Sequence, residues 1–458
     1  MPTTLSSLPI KPITHPLNAT VRVPGSKSLT NRALLIASLA NGTTKLTNAL
    51  FSDDSRYFAK ALQTLGFDVQ LDEVSHEMTI TGLGGKIPAR KAELFIGNAG
   101  TAARFLSAFL TLGNGEYILD GEPRMRERPI GDLVDALSQL GAVISPLSQR
   151  ERAEGEGEVN SICPPVKITA FGLPGGKTKI AGNISSQFLS ALLMVAPYAQ
   201  SPVEIELTTD LNSKPYVDMT IAVMKDFGVE VERHGYERFI VNPSFFFPRS
   251  SYSIESDASA ASYFFAAPAI CGGTVRVENI SRKSVQGDIA FVDVLVQMGC
   301  EIKEGENYIE VIGAPELQGI DVDMRDIPDT AQTLAAIAPF ASSATRIRGI
   351  ASARVKETDR VHATCTELAR LGVRVEEHED GMTIHPCEKM RPAVIQTYND
   401  HRMAMSFSLI GLRFDGVTIE NPACVSKTFP NFFEVLETIS SRSIPEGDKR
   451  ERVTRRVG

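Results

Sequence analysis

Along this chain, alternation of apolar and polar residues begins again and again at the same kind of place. A helix-like segment closes on an apolar residue and a glycine, and a half-buried strand follows. The pattern occurs in LQTLGFDVQL ending at Leu71, LSQLGAVI ending at Ile144, MKDFGVEVE ending at Glu232, LVQMGCEIK ending at Lys303 and LARLGVRVEE ending at Glu377. Gly66, Gly141, Gly228, Gly299 and Gly372 suit the left-handed position that ends a helix. Four copies continue across a polar turn into a second strand: HEMTITG from His76, YERFIVN from Tyr236, NYIEVIG from Asn307 and GMTIHP from Gly381. Before each glycine stands an acidic residue, Asp54, Asp132, Asp218, Asp288 or Asp359. Each is placed where a helix would start and a carboxylate would meet the helix dipole. A degenerate sixth copy is FFEVLETI, Phe432 to Ile439. The glycines lie roughly 70 to 90 residues apart, too far for a small-repeat solenoid. The pattern predicts about six α+β units, most simply packed as two lobes of three.

Two segments fall outside it. Residues 148–160, SQRERAEGEGEVN, read as an exposed charged loop, and residues 443–458 read as a frayed, disordered basic tail. Over 458 residues the net charge is −8, which argues against a nucleic-acid binder or an anionic-membrane binder. The start, MPTTLSSLPIKPITHPL, has no signal-peptide pattern, and no apolar run approaches the ~20 residues that span a bilayer. Six cysteines include no C-x-x-C pair and read as reduced thiols, so the cytoplasm is the expected compartment.

Small, polar and basic residues collect in seven places that interrupt the repeat. In VPGSKSLTNR, Pro24 and Gly25 stop a strand, and Lys27, Ser28 and Arg32 fall at a helix start, where N–H groups, hydroxyls and cations make an anion site. The spacing is not that of a Walker A loop. GNAGTAAR allows close backbone approach around Asn98 and Thr101, with Arg104 on the next helix. PRMRERPIGDL holds Arg124, Arg126 and Arg128, the last directly before Pro129. GNISSQFLSALL places Ser185, Ser186 and Gln187 on a first helical turn. In RVKETDR, Lys356 and Arg360 are four apart and predicted to share a helix face, with Glu357 beside them. YNDHRMAM carries His401, which reads equally as a structural histidine, and SKTFPNFFE carries Lys427. GLGGKI at Gly82 reads as a turn. The seven histidines form no H-E-x-x-H or Cys/His cluster, and no G-x-S-x-G elbow is present. Each punctuation alone is weak. Together, in an acidic chain, they predict a cleft that binds anions and stabilises developing charge.

Ten ordered segments resemble the 5-enolpyruvylshikimate-3-phosphate synthase family, from about Val21 to Leu436: VPGSKSLTNR, GNAGTAAR, RMRERPIGDL, NISSQF, SKPYVDMT, SDASAASYF, IPDTA, RVKETDR, YNDHRMAM and SKTFP. The resemblance implies the two-lobed α/β enolpyruvyl transferase fold, an inside-out α/β barrel of six βαβαββ units, three per lobe. It implies one lobe from 1–25 with 256–458, the other from 26–255, and the active site in the cleft between them. It implies transfer of the enolpyruvyl group of phosphoenolpyruvate to the 5-hydroxyl of shikimate 3-phosphate by addition and elimination, releasing phosphate. No cofactor, metal, nucleic-acid or membrane partner is implied, and the chain is expected to be a monomer.

By the same resemblance, shikimate 3-phosphate would meet Lys27, Ser28, Arg32, Ser185, Ser186, Gln187, Ser213, Tyr216, Asp329, Ser352 and Lys356. Phosphoenolpyruvate would meet Lys27, Asn98, Gly100, Thr101, Arg128, Gln187, Arg360, Arg402 and Lys427. The catalytic set would be Lys27, Asp329, Glu357, His401 and Lys427, with Glu357 protonating the vinyl carbon and Asp329 acting as base. Three departures stand out: Ser352 where Asn is usual, Phe105 where Pro is usual, behind the phosphoenolpyruvate wall, and a 148–160 loop longer than usual. The second predicts altered sensitivity to glyphosate. Alternatives are the sister transferase acting on UDP-N-acetylglucosamine and a non-catalytic binding protein on the same scaffold.

Overall fold

The computed structural model describes residues 6–147 and 162–441. The charged loop 148–160 and the tail 443–458 of the sequence reading lie outside the described residues. Twelve helices are described: α1 Lys27–Leu39, α2 Asp53–Thr64, α3 Gly100–Leu110, α4 Gly131–Gln139, α5 Ser186–Val195, α6 Lys214–Asp226, α7 Ala258–Cys271, α8 Phe291–Gln297, α9 Ala331–Ile337, α10 Arg360–Arg370, α11 His401–Arg413 and α12 Phe432–Ser441.

The five glycines of the repeat each end an even-numbered helix with φ between 86° and 101°, as the pattern requires. These helices carry one apolar stripe and one solvent face. The odd-numbered helices are different. Every residue of α3 is buried, as is every residue of α7 from Ala258 to Ile270. They form the inside of the molecule, and the sheets lie outside them. Asp218 departs from the expected pattern. It sits a turn inside α6, where it pairs with Arg233 on the surface rather than meeting the helix start.

Three sheets are built from consecutive chain. In one of them Lys91–Phe95 runs parallel to Asn114–Asp120, which pairs antiparallel with Val166–Phe171, and that strand with Val143–Pro146. Two sheets exchange their first strands. Leu17–Arg22, which precedes α1, joins Gly273–Glu278 in parallel with Val21 opposite Val277. Tyr252–Ser253, which precedes α7, joins Asn41–Thr47 with Ser253 opposite Thr47. The two crossings touch at a bridge between Gly25 and Ser256. A side chain at Gly25 would overlap the Asn48 carbonyl, so the crossing needs glycine there. In the sixth sheet, Ser7–Pro9 pairs antiparallel with Val417–Glu420 where the other units use a hairpin.

The apolar core is correspondingly double. One cluster runs from Leu29 to Ile254; the other takes Ile10 to Val23 together with Ala258 to Ile439. The starts of the inner helices meet at the seam between these two bodies.

Candidate functional site

The seam is organised by helix caps. Ser26 caps α1, and the Lys27 N–H donates to Asp257 Oδ2 at 3.0 Å. Asp257 also caps α7 through the Ala260 N–H, so the starts of α1 and α7 are joined across the lobes. Asp400 caps α11 through the Arg402 N–H. Ser185 caps α5. At α3 the N-cap is Ala99 and no side chain accepts from the first turn. Its N–H groups are therefore available to an anion.

Around these starts the cations Lys27, Arg128, Lys356, Arg360, Arg402 and Lys427 face the carboxylates Asp54, Asp329, Glu357 and Asp400. Lys427 Nζ lies 3.1 Å from Glu357 Oε1 and donates to the Asn98 carbonyl at 2.8 Å. Arg128 Nη1 donates to the carbonyl and Oδ1 of Asn98 at 3.1 and 3.0 Å. Arg360 grips both oxygens of Asp400 at 2.7 and 3.2 Å and reaches Glu357 Oε2 at 2.8 Å and Asp329 Oδ1 at 3.2 Å. Arg402 donates to Asp329 Oδ2 at 2.7 Å. Lys27 and Lys427 flank Asp54 at 3.6 and 3.9 Å.

Ten sequence-predicted residues border one narrow space of about 20 Å³: Lys27, Gly100, Thr101, Arg128, Gln187, Asp329, Lys356, Glu357, Arg360 and Arg402. That is room for about one water. Here the carboxylates Asp329 and Glu357 take the places on Arg360, Arg402 and Lys427 that an anionic ligand would claim. Asn98 and Lys427 open onto a neighbouring cavity of about 280 Å³.

The field of the cluster decides its protonation. Burial by itself would raise the Asp329 carboxyl, but Arg402, Lys356, Arg360 and Lys27 outweigh it and hold the group below the usual carboxylate range. Glu357 is likewise buried, and Lys427, Arg360 and Arg128 hold it well below its ordinary value. Both are carboxylates at neutral pH. Lys356 is lowered by burial. Burial, then Lys27 and Arg402, push the His401 imidazole far down, so the ring is neutral. His401 is 1% exposed, and neither ring nitrogen has a hydrogen-bond partner among the described residues.

The remaining predicted residues stand around this centre. Ser28 is on the first turn of α1, and its carbonyl accepts Arg32 Nη1 at 2.9 Å. Arg32 is buried between α1, α5 and α6, donating to Thr220 Oγ1 at 2.7 Å and to the Tyr216 carbonyl at 3.0 Å. Burial lowers it to about 10, still a cation at neutral pH. Gln187 Nε2 donates to Thr101 Oγ1 at 3.3 Å and so ties α5 to α3; Ser186 beside it is buried. Ser213 has a left-handed backbone, φ 58°, and its N–H donates to the Arg325 carbonyl of the other lobe. Tyr216 OH also crosses the lobes, to Asp288. Ser352 lies half-buried in the 3-10 turn Ala351–Val355.

Several expectations need correction. Lys356 and Arg360 do not share a helix face: α10 starts at Arg360, and Lys356 to Thr358 form a bend. The bend is held from the other lobe by Arg124, which donates to the carbonyls of Glu357 and Lys356 at 3.1 and 3.0 Å. Arg124 therefore positions the bend, while Arg126 pairs with Asp120 at the surface. Phe105 lies on α3 as expected, but its ring faces the Arg32 guanidinium, 5.4 Å from it. Asp54 and Asp400 are site residues that the sequence reading passed over. Asp54 looked like any helix-start acid; Asp400 stood inside a quoted motif, directly before His401. Among the described residues, no group of His, Cys, Asp or Glu is placed to hold a metal ion. No described helix is long and apolar enough to cross a membrane.

Residues 11–436 match the family model described as EPSP synthase (3-phosphoshikimate 1-carboxyvinyltransferase). A protein named 3-phosphoshikimate 1-carboxyvinyltransferase from Sulfurovum sp. (strain NBC37-1) is 51% identical over 439 residues, 95% of this chain and 100% of that protein. One of the same name from Trichormus variabilis (strain ATCC 29413 / PCC 7937) is 50% identical over 429 residues, 94% of this chain and 98% of that one. A solved EPSP synthase structure from Acinetobacter baumannii superposes with TM-score 0.77 at 25% identity, covering 94% of this chain and 98% of that chain.

Proposed function

Since the chain belongs to the EPSP synthase family, we propose that it joins phosphoenolpyruvate to shikimate 3-phosphate and releases phosphate, a step of aromatic amino acid biosynthesis, with the following division of labour among its residues. The observation that carries this reading is the cluster of Lys27, Arg128, Lys356, Arg360, Arg402 and Lys427 around Asp54, Asp329 and Glu357 at the seam.

Phosphoenolpyruvate is held by Lys27, Arg128, Arg360, Arg402 and Lys427 over the uncapped start of α3 at Gly100 and Thr101, with Asn98 and Gln187 beside it. Shikimate 3-phosphate is held by Lys27, Ser28, Arg32, Ser185, Ser186, Gln187, Ser213, Tyr216, Ser352 and Lys356, with its 5-hydroxyl at Asp329. The cations that now pair with Asp329 and Glu357 turn to the substrates' phosphates and carboxylates. Glu357 thereby loses the field that keeps it ionised and takes up a proton from solvent as the substrates bind.

In the addition, Glu357 gives its proton to the vinyl carbon, the 5-hydroxyl oxygen bonds to the central carbon, and Asp329 takes the hydroxyl proton. In the elimination, the bond to the phosphate oxygen breaks and the methyl group returns a proton to Glu357. The proton on Asp329 leaves with the phosphate, whose charge Lys27, Lys427 and the arginines stabilise. His401, being neutral, adds no charge to this balance and acts through its place beside Lys27 and Glu357. The enzyme works as a monomer in the cytoplasm.

The test is phosphate release from phosphoenolpyruvate with and without shikimate 3-phosphate. Release only when both are present is the expected result. Release with UDP-N-acetylglucosamine instead would move the chain to the sister reaction, and no release with either acceptor would leave a binding protein.

A further inference from the structure

The segment SVQGD, residues 284–288, looks in sequence like the acidic start of one more outer helix, yet its last residue lies in the seam. Asp288 sits in the 3-10 turn Gly287–Ala290 that leads into α8 and is 4% exposed. Its Oδ2 accepts from Tyr216 OH at 2.7 Å and from the Ser259 hydroxyl. Its Oδ1 has no partner among the described residues, and the carboxylate enters no salt bridge there. Arg402 acts on it only through the field, so a buried carboxylate without a directly paired cation remains costly, and the hydroxyl hydrogen bonds only partly offset that cost.

Tyr216 comes from the first turn of α6 in the opposite lobe. Burial, and then Asp288, push its phenol far above the ordinary range, so it is the donor in this pair. The rest of that turn is docked just as closely. The Ser213 N–H donates to the Arg325 carbonyl at 3.2 Å, and the Lys214 N–H to Asp326 Oδ1 at 3.3 Å. Pro215 packs directly on Gly287. Tyr216 also carries a second tie, because its carbonyl accepts Arg32 Nη2 at 3.0 Å. One residue is thus fixed at its backbone to an arginine of the anion site and at its phenol to the other lobe.

We infer that Asp288 is a positioning residue: through Tyr216 it locks α6 to the opposite lobe and sets the phenol ring against shikimate 3-phosphate. The inference rests on the substrate assignment proposed above. Asp288 does not touch the reacting atoms. It makes the docked position of Tyr216 the bonded one, so acceptor binding and lobe docking become one event.

The experiment is titration calorimetry of shikimate 3-phosphate into the wild type, Asp288→Asn, Tyr216→Phe and the double variant, with phosphoenolpyruvate KM and kcat measured at saturating acceptor. Each single change is expected to weaken acceptor binding about 10-fold. The double variant is expected to be no worse than the poorer single, because Asp288→Asn takes the charge from the same bond that Tyr216→Phe removes. The phosphoenolpyruvate KM should stay within about threefold. If Asp288→Asn does not fold, Tyr216→Phe reads the same bond, and wild-type affinity in that variant overturns the inference. So do wild-type affinity in Asp288→Asn and losses that multiply in the double variant. A wild type that binds no shikimate 3-phosphate overturns the functional reading, and this inference with it.

Discussion

Replacing Gly287 by alanine adds one methyl group at the point where α6 docks, and removes no charge, donor or acceptor. The added Cβ would lie 2.7 Å from Pro215 Cγ and closer still to Pro215 Cβ. Carbon atoms pack at about 3.5–4.0 Å, so the two surfaces must part by at least about 1 Å. Neither side can give locally. Pro215 is a rigid ring in the first turn of a 13-residue helix, and Gly287 opens a 3-10 turn. Gly287 is outside the left-handed region, so alanine fits its own backbone. The 2.7 Å bond from Tyr216 to Asp288 then stretches toward about 4 Å, beyond hydrogen-bond range. A hydrogen bond to a charged group contributes about 1.5–3 kcal/mol, which corresponds to a loss of roughly 10- to 150-fold in acceptor affinity. Calorimetry of shikimate 3-phosphate reads that loss directly. Small-angle scattering with and without the acceptor should show a contraction in the wild type that is smaller in Gly287→Ala. A variant that binds with wild-type affinity and contracts equally would refute the reasoning, because the steric wedge would then be absorbed without parting the lobes.

Gly100→Ala puts a Cβ 2.7 Å from Arg128 Cζ and should displace the guanidinium from Asn98. Steady-state kinetics should show the phosphoenolpyruvate KM raised about 10- to 100-fold with acceptor affinity within threefold; an unchanged KM would remove Arg128 from the phosphoenolpyruvate site. Burial and then Asp329 push Asp288 up to about 6. Relative to an unfolded carboxyl near 3.9, its contribution to stability is fully present below that value and lost as pH rises through about 6. Urea unfolding should therefore show Asp288→Asn gaining on the wild type by about 2 kcal/mol between pH 4 and pH 7.5, and a gap that does not change with pH would contradict the sign. Phe105 stacks on Arg32 from within α3, so Phe105→Pro should change glyphosate inhibition and acceptor affinity together; equal inhibition constants in the two proteins would separate that position from the site.

What could be read from residue order alone was set by periodicity and by local backbone demands. The even-numbered helices have a wet face and a dry face, so their period shows, and the glycine that ends each must be left-handed wherever the unit is placed. The inner helices are buried on all sides and have no such period. Only the small and polar residues at their starts, Lys27, Gly100, Ser186 and His401 among them, reveal where they begin. Which of those starts converge is a tertiary matter. The strand before α1 pairs with Gly273–Glu278, in the other half of the chain, and that exchange of strands brings the start of α1 to the start of α7. The acids before the repeat glycines show the same division. Asp54, Asp132 and Asp288 carry one local signal, a carboxylate at a helix start. In the folded chain Asp132 remains that, Asp54 lies between Lys27 and Lys427, and Asp288 accepts from Tyr216 of the opposite lobe. Helix starts and turns are short-range properties that a few neighbouring residues determine. The charge, burial and hydrogen-bond partners of a carboxylate come from whatever the two lobes press against it, and only their packing decides that.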